Sequence, residues 1–256
     1  MHIERIPVDV PTRAPTGRTA AYVLGDDDAL LVDPPALDER IEAELDHVGH
    51  IAVTHHHPDH VGAVADYAAA TDATVWCRYG REDAFVDATD AEPDRTFREG
   101  TRIETGSGSV VVRETPGHAR EHVAFEAADA LVAGDLAVAA GSVAVGPPDG
   151  DMRAYVTSLR RVIGMAPDRI YPGHGPVIDD PRATCERLIT HRLDRERRVL
   201  DAVSAGNETL AEILDAAYEK DLSGVRDLAT ATVRAHLEKL AHEGRIDWDG
   251  DRAVPA

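Results

Sequence analysis

The sequence predicts an α+β fold in which two packed β-sheets carry helices on their outer faces and a small helical domain follows. Three observations support this prediction. Short apolar runs occur in two series, segments of helical periodicity flank each series, and the pattern changes after about residue 203. Sheets and helices bury their apolar faces by stacking in layers, so this order favours a sandwich. We expect one domain over residues 1–203 and a second over 204–256.

The first series of strands begins with a hairpin. The apolar runs Thr19–Leu24 and Ala29–Val32 flank a glycine and three aspartates, which are turn-forming residues. Apolar spacing then predicts a helix over Leu37–Leu45, a strand over Ile51–Val53, an alanine-rich helix over Val61–Ala70 and a strand over Thr74–Cys77. Residues 81–108 are polar and carry no clear signal for an element.

The second series is separated from the first by that polar stretch. Its predicted strands are Val110–Arg113, His122–Glu126, Leu131–Ala133 and Arg169–Tyr171. Helical periodicity predicts a helix over Met152–Ile163 and a long charged helix over Pro181–Val203.

The tail from about residue 204 has a different pattern. Two amphipathic faces, Leu210–Ala217 and Val233–Ala241, predict helices, and Gly244 ends the second one. A short helix over Val225–Ala229 is expected between them. Asp249-Gly250 is a hairpin turn signal that follows the alternating pattern around Trp248. A helix, a short helix, a further helix and then a hairpin indicate a winged-helix domain.

The net charge of −20 is unusual, and 25 of the 27 basic residues are arginine. In concentrated salt, self-repulsion is screened and a dense carboxylate surface keeps a protein soluble, so we hypothesise a halophilic protein. The alternative is an ordinary acidic protein with solvated faces. The N-terminus has no apolar signal-peptide core, and no apolar stretch is long enough to span a membrane. Cys77 and Cys185 show no metal-binding spacing, so we expect reduced cysteines in a cytoplasmic protein.

The densest cluster of chemically active residues is the run His55-His56-His57-Pro58-Asp59-His60, which directly follows a predicted buried strand. Imidazole and carboxylate groups suit zinc and similar divalent ions. In an extended segment, residues two apart point the same way, so His55 and His57 can reach one ion. A turn at Pro58 would bring Asp59 and His60 to a second ion. This single run can therefore contribute ligands to two metal ions.

Three further positions strengthen the metal hypothesis. His118, Asp135 and His174 each lie just after a predicted strand, in a turn that contains glycine. Glycine allows the backbone to approach a ligand closely. An isolated residue of this kind is usually a helix cap or a surface residue, but three equivalent positions together with the histidine run favour a shared site.

The ordered motifs THHHPDH, PGH, GD and PGHG resemble those of the metallo-β-lactamase superfamily over residues 19 to about 180. The resemblance implies a four-layer αββα sandwich. It also implies that His55, His57 and His118 bind one metal, that Asp59, His60 and His174 bind a second, and that Asp135 bridges the two. The ions would be zinc, with manganese or iron as alternatives that the same ligands accept.

Two such ions lower the pKa of a shared water, and the resulting bridging hydroxide would act as the nucleophile of a hydrolase. Asp59 would also be catalytic by orienting that nucleophile. His122, four residues after His118, and Arg192 on the long helix are further candidates, as substrate contacts. For Arg192 the competing interpretation is a solvated helix face.

The substrate class is left open by the motifs, because one fold serves many reactions. The tail and the string YPGHGP resemble the branch named β-lactamase-like protein two, whose mitochondrial members are endoribonucleases acting on single-stranded RNA. Hydrolysis of phosphodiesters in single-stranded RNA is therefore the first hypothesis. A thioester hydrolase of the glyoxalase-II type is the second, and a non-catalytic metal-binding protein is a remote third. The acidic composition weighs against avid binding of nucleic acid.

Overall fold

The computed structural model describes residues 1–219 and 221–256. Its first sheet consists of six strands that lie side by side in chain order. These strands are β1 (Ile3–Asp9), β2 (Arg18–Leu24), β3 (Ala29–Val32), β4 (Val48–Ala52), β5 (Thr74–Arg78) and β6 (Arg95–Phe97). The pairs β1–β2 and β2–β3 are antiparallel, whereas β3 to β6 pair in parallel.

The second sheet consists of five strands. They are β7 (Arg102–Thr105), β8 (Gly108–Glu114), β9 (Val123–Ala127), β10 (Ala130–Gly134) and β11 (Arg169–Pro172), and their order across the sheet is β11-β10-β9-β8-β7. Only the β10–β11 pair among these is parallel. Strands β8, β10 and β11 consequently run in the same direction, and their carboxyl ends lie at the same edge of the sheet.

The helices occupy the two outer faces and the C-terminal part. They are α1 (Glu39–Glu42), α2 (Pro58–Val61), α3 (Val64–Ala70), α4 (Glu82–Thr89), α5 (Met152–Met165), α6 (Pro181–Ser204), α7 (Leu210–Ala217) and α8 (Arg226–His242). Side-chain caps fix where several of these helices begin. Asp151 accepts hydrogen bonds from the backbone at the start of α5, and Thr209 and Glu212 form a capping box on α7.

The packing of apolar side chains confirms the four layers. Along β2, Tyr22 and Leu24 face the second sheet and meet residues such as Phe125, whereas Ala21 and Val23 face the opposite way, toward the helices. This alternation is the period of two that a strand imposes. Because both faces of the sheet are covered, residues on both sides of β2 are apolar and its sequence is a nearly continuous apolar run. Helices α1 to α4 cover the first sheet, and α5 and α6 cover the second.

A separate apolar cluster lies at the C-terminus. It joins the last turns of α6 to α7, α8 and the two-stranded hairpin of β12 (Ile246–Trp248) and β13 (Ala253–Pro255). The predicted short helix over residues 225–229 was wrong, because these residues lead directly into the single helix α8. Ala229, Val233 and Leu237 are spaced four apart and are all buried, so the apolar face continues without a break.

Other differences from the sequence prediction concern short elements. The polar stretch 81–108 contains α4, β6 and β7, and the strand β1 was not predicted. The helix expected over residues 37–45 is limited to α1 and a following 3-10 turn. Among the helices in the described residues, none has an apolar stretch that could cross a membrane. Both cysteines are buried and unpaired.

Candidate metal centre

The segments that follow β4, β8, β10 and β11 bring the seven predicted ligands together, with Asp59 and His60 on the short helix α2. Three overlapping groups have their ligand atoms within 4.8 Å of one another. These groups are His55, His57 and His118; His55, His60 and Asp135; and Asp59, His60 and His174. The directions of β8, β10 and β11 explain the convergence, because His118, Asp135 and His174 each follow a carboxyl end at the same edge of the sheet.

Asp135 lies between two sets of histidines. Its Oδ2 is 3.5 Å from Nε2 of His118, whereas its Oδ1 is 3.5 Å from Nε2 of His60 and 3.4 Å from Nε2 of His174. The two oxygens of one carboxylate therefore face different groups, which is the geometry a bridging ligand requires. On the first side, Nδ1 of His57 lies 2.9 Å from Nε2 of His118.

In His118 and His174, the ring nitrogen that faces away from the site forms a hydrogen bond with a backbone oxygen. Nδ1 of His118 donates to the backbone oxygen of Ala144 at 2.7 Å, and Nδ1 of His174 donates to that of Arg18 at 2.8 Å. Each bond fixes the tautomer that leaves Nε2 unprotonated and directed into the site. Metal-ligating histidines almost always have such an outer partner.

A buried aspartate orients two more of the histidines. Asp33 is 1% exposed, and its Oδ2 accepts from Nδ1 of His60 at 2.9 Å and from the hydroxyl of Thr54 at 2.7 Å. The hydroxyl oxygen of Thr54 in turn accepts from Nδ1 of His55, which lies 3.0 Å away. Asp33 adopts a left-handed backbone conformation with φ of 52°. This conformation turns the chain after β3 toward the site.

Glycines allow the backbone to come close to the ligands. A Cβ atom on Gly173 would lie 2.6 Å from Cε1 of His60 and 2.7 Å from Oδ1 of Asp135. Gly134 has a φ of 43°, and a Cβ there would meet the hydroxyl of Thr54 at 2.3 Å. Both approaches are shorter than real Cβ contacts, so the turns that contain these motifs need glycine for steric reasons.

Three ligand atoms are buried without a hydrogen-bond partner. They are Nε2 of His55, Nε2 of His60 and Oδ1 of Asp135. Leaving buried polar atoms unpaired costs about 1–3 kcal/mol each. These unpaired atoms are all lone-pair donors directed at the same small volume, and nitrogen and oxygen donors of this kind bind zinc, manganese or iron. The residues present thus fit a divalent metal centre.

Burial and charge shift the pKa values inside the site. Burial and the neighbouring histidines lower the pKa of His55 well below its usual value. Burial opposes a charge on His60, but the carboxylates of Asp135 and Asp33 outweigh it and raise the pKa of His60 to about 10. Burial likewise opposes the charge on Asp135, yet the imidazole rings of His174 and His60 beside it lower its pKa well below the usual value. The carboxylates therefore favour positive charge at the centre of the site.

The site opens into a cavity of about 990 Å³. His57, Asp59, His118, Asp135 and His174 reach its surface, whereas His55 and His60 lie behind them. Most of the other residues in the lining have small or apolar side chains: Pro11, Ala14, Pro15, Val138, Ala139, Ala140, Gly141, Val143, Ala144, Gly175, Pro176 and Leu228.

The structure does not bring His122 or Arg192 to this cavity. His122 is fully buried behind the ligands, where Thr115 contacts its Nδ1 and its Nε2 accepts from the backbone N–H of Asp135. Burial lowers the pKa of His122 to about 3, so it stays neutral. Arg192 is 3% exposed and donates to the backbone oxygen of Val143. Through these contacts both side chains stabilise the backbone around the cavity, and neither of them is exposed to a substrate in it.

The sequence interpretation missed the contribution of the loop between β1 and β2. Thr12 and Arg13 of this loop line the cavity, and Thr12 donates a hydrogen bond to Asp59. No motif marks these residues, because their role depends on a contact between segments that are distant in the chain.

Comparison with known proteins gives consistent results. The family model described as the metallo-β-lactamase superfamily matches residues 14–174. The β-lactamase-like protein 2 homolog of Drosophila melanogaster is 30% identical over 220 residues, which cover 82% of this chain and 74% of the fly protein. Thioesterase pkgB of Emericella nidulans is 30% identical over 155 residues, covering 59% of this chain and 42% of that protein.

Among solved structures, the metallo-β-lactamase family protein TTHA1429 of Thermus thermophilus superposes with a TM-score of 0.81. It is 22% identical in sequence, and the match covers 99% of this chain and 98% of TTHA1429. The similarity therefore extends over the C-terminal helices as well as the sandwich, at the level of the fold.

Proposed function

The chain belongs to the metallo-β-lactamase superfamily of hydrolases, and from that premise we propose that its active site is a two-ion metal centre. The proposed ligands are His55, His57 and His118 for one ion and Asp59, His60 and His174 for the other, with Asp135 between them. The observation that carries the proposal is the set of buried, unpaired donor atoms on His55, His60 and Asp135.

When bound, a pair of divalent ions supplies Lewis acidity toward the scissile group and lowers the pKa of coordinated water. The side chains of this protein perform the remaining tasks. Asp135 separates and orients the two histidine groups through its two oxygens. Asp59 lies at the cavity surface, where its carboxylate can accept a proton from an attacking water or orient it. The buried network behind the ligands excludes water from their outer nitrogens.

The cavity favours an acyl substrate over a polyanion. Its lining is predominantly apolar, and Arg13 is the single arginine or lysine among the described residues that form it. Both oxygens of Asp227 already accept hydrogen bonds from the Arg13 guanidinium. A groove for single-stranded nucleic acid requires cationic side chains along its length. We therefore propose hydrolysis of a thioester with an apolar acyl group, and the name of the relative pkgB supports this class.

Cleavage of single-stranded RNA is the second candidate, and a smaller cavity favours it. This cavity of about 400 Å³ shares His57 with the larger one, and Arg81 and Arg120 are in its lining. Within the described part of the chain, neither arginine forms an ion pair. Glu121 and Asp149 share the lining, so the local charge is mixed. Similarity to the β-lactamase-like protein 2 homolog is a second reason to test RNA.

The test begins with metal content. Protein stripped with chelator and reloaded with zinc, manganese or iron is expected to hold two ions per chain by elemental mass spectrometry. The loaded protein is then offered neutral acyl thioesters and labelled single-stranded RNA in high salt. We expect thioester turnover that falls by more than about 100-fold in Asp59→Ala and His118→Ala, since each variant removes a proposed ligand.

The matched control is His242→Ala, because His242 is an exposed histidine near the end of α8. Uptake of fewer than two ions would overturn the two-ion centre. Uptake of two ions with RNA cleavage and no thioester turnover would reverse the order of the two substrate classes. RNA cleavage that persists in both ligand variants would identify a contaminating nuclease.

A further inference from the structure

We infer that Thr12 is a positioning residue for Asp59 and that the C-terminal helix α8 holds it in place. This inference rests on the proposed metal centre, because Asp59 is one of its proposed ligands. It assigns a role to a loop that no sequence motif marks, and it connects the C-terminal helices to the site.

The side chains of Thr12 and Asp59 are in direct contact. The hydroxyl of Thr12 donates to Oδ2 of Asp59 at 2.5 Å. The same Oδ2 lies 3.5 Å from Nε2 of His174, so it is the oxygen that faces the second ligand group. Among the described residues, Thr12 supplies the one hydrogen bond to this carboxylate. Its hydroxyl therefore determines which way Asp59 presents its ligand oxygen.

The backbone of the same loop orients the Thr12 hydroxyl. The oxygen of Thr12 accepts a hydrogen bond from the backbone N–H of Ala14 at 3.1 Å. With that lone pair occupied, the hydroxyl hydrogen is directed to Asp59. Backbone bonds from Val10 to Gly17 at 3.2 Å and from Gly17 to Ala14 at 3.1 Å close the loop on itself. Thr12 is thus held in a compact turn and not in an extended segment.

The neighbouring residue Arg13 connects the β1–β2 loop to the start of α8. Arg13 donates to both oxygens of Asp227 at 2.9 Å and to the backbone oxygen of Gly224 at 3.2 Å. Asp227 is in the first turn of α8, and the next residue, Leu228, lines the cavity. The β1–β2 loop is therefore held between Asp59 on one side and α8 on the other.

The two contacts differ in expected strength. The Thr12–Asp59 bond involves a charged acceptor at a part-buried position, whereas Arg13 and Asp227 have side chains that are 58% and 63% exposed. Outer partners of metal ligands typically contribute 10- to 100-fold in metal affinity or activity. Exposed ion pairs contribute no more than about fivefold. We expect Thr12→Val to weaken binding of one ion about 10- to 100-fold, and Arg13→Ala and Asp227→Ala to weaken it less than about fivefold.

The experiment is a calorimetric titration of metal-free protein with zinc, and with manganese in parallel. Wild type is expected to bind two ions. In Thr12→Val, one of the two should bind more weakly while the other keeps its affinity. Thr12→Ser retains the hydroxyl and should restore wild-type binding. Thr157→Val is the matched control, because Thr157 is exposed on α5 and, among the residues that the structure describes, bonds only to its own helix and does not line the cavity.

The outcomes separate the inference from the proposed function. Wild type that takes up fewer than two ions would refute the metal centre itself. Wild type that binds two ions, with Thr12→Val binding both equally well, would refute the positioning role. If the valine variant does not fold, as judged by thermal unfolding of the metal-free protein, Thr12→Ala takes its place. If Thr12→Ser also binds one ion more weakly than wild type, the positioning role is refuted, because the loss of affinity then does not come from removal of the hydroxyl.

Discussion

Replacing Asp33 with alanine tests whether the network behind the ligands stabilises the protein independently of metal. Asp33 accepts hydrogen bonds from the backbone N–H of Thr54 at 2.6 Å, from the Thr54 hydroxyl at 2.7 Å and from His60 at 2.9 Å. Removal of the carboxylate leaves three buried donors unsatisfied. At the low end of about 1–3 kcal/mol per donor, these donors alone cost about 3 kcal/mol.

The backbone adds to this loss. Asp33 has a left-handed conformation with φ of 52°, in which alanine costs about 1 kcal/mol. We therefore expect Asp33→Ala to lower the free energy of unfolding by about 4 kcal/mol, a large part of the 5–15 kcal/mol typical of a native protein. Asp33→Asn should fall between this variant and wild type, because asparagine tolerates the conformation and keeps one acceptor.

Urea unfolding of chelator-treated protein measures the effect, since metal loss then cannot contribute to it. Asp87→Ala is the control, because Asp87 is an exposed aspartate on α4 and its removal should change stability by less than about 0.5 kcal/mol. A loss below about 1 kcal/mol for Asp33→Ala, with an unchanged dependence on urea, would refute the reasoning. It would mean that the three donors find other partners.

Gly173→Ala should abolish two-ion binding, because its Cβ would overlap His60 and Asp135; elemental analysis showing two retained ions would contradict this. Burial lowers the pKa of His236 below its usual 6.5, so stability is full above about pH 6.5 and falls as the pH drops further. Urea titrations from pH 8 to pH 5 should show a smaller decline in the free energy of unfolding for His236→Asn than for wild type. An identical decline in the two proteins would exclude His236 as the source of the pH dependence. Finally, the net charge of −20 predicts that the thermal unfolding midpoint rises from low salt to molar KCl, whereas equal midpoints would contradict the halophilic hypothesis.

The strands and long helices were predictable because their residues are buried in a regular pattern. Thr19–Leu24 corresponds to β2 and Ala29–Val32 to β3, and both lie between covered faces. The three-residue strand β6 was not predicted, since too few of its residues are buried to produce a period. In the tail, local spacing could not decide whether residues 225–229 form a separate helix or lead into α8.

The sequence by itself determined which side chains are proposed as metal ligands. Histidine and aspartate are ligands by their own chemistry, and the glycines beside them are required by local sterics, so both signals are local and visible in the motifs. The positions after β4, β8, β10 and β11 then place these side chains together once the strands pair.

Only the tertiary structure decided what surrounds those ligands. Thr12 reaches Asp59 across 47 residues, and Arg13 reaches Asp227 across 214. Arg192, a candidate for contact with substrate in the sequence, is instead buried beneath the loop at Val143. Such contacts arise from how sheets and helices stack, and no local pattern encodes them. The apolar wall of the cavity, on which the proposal of an acyl substrate depends, has the same origin, because it is assembled from segments that are distant in the chain.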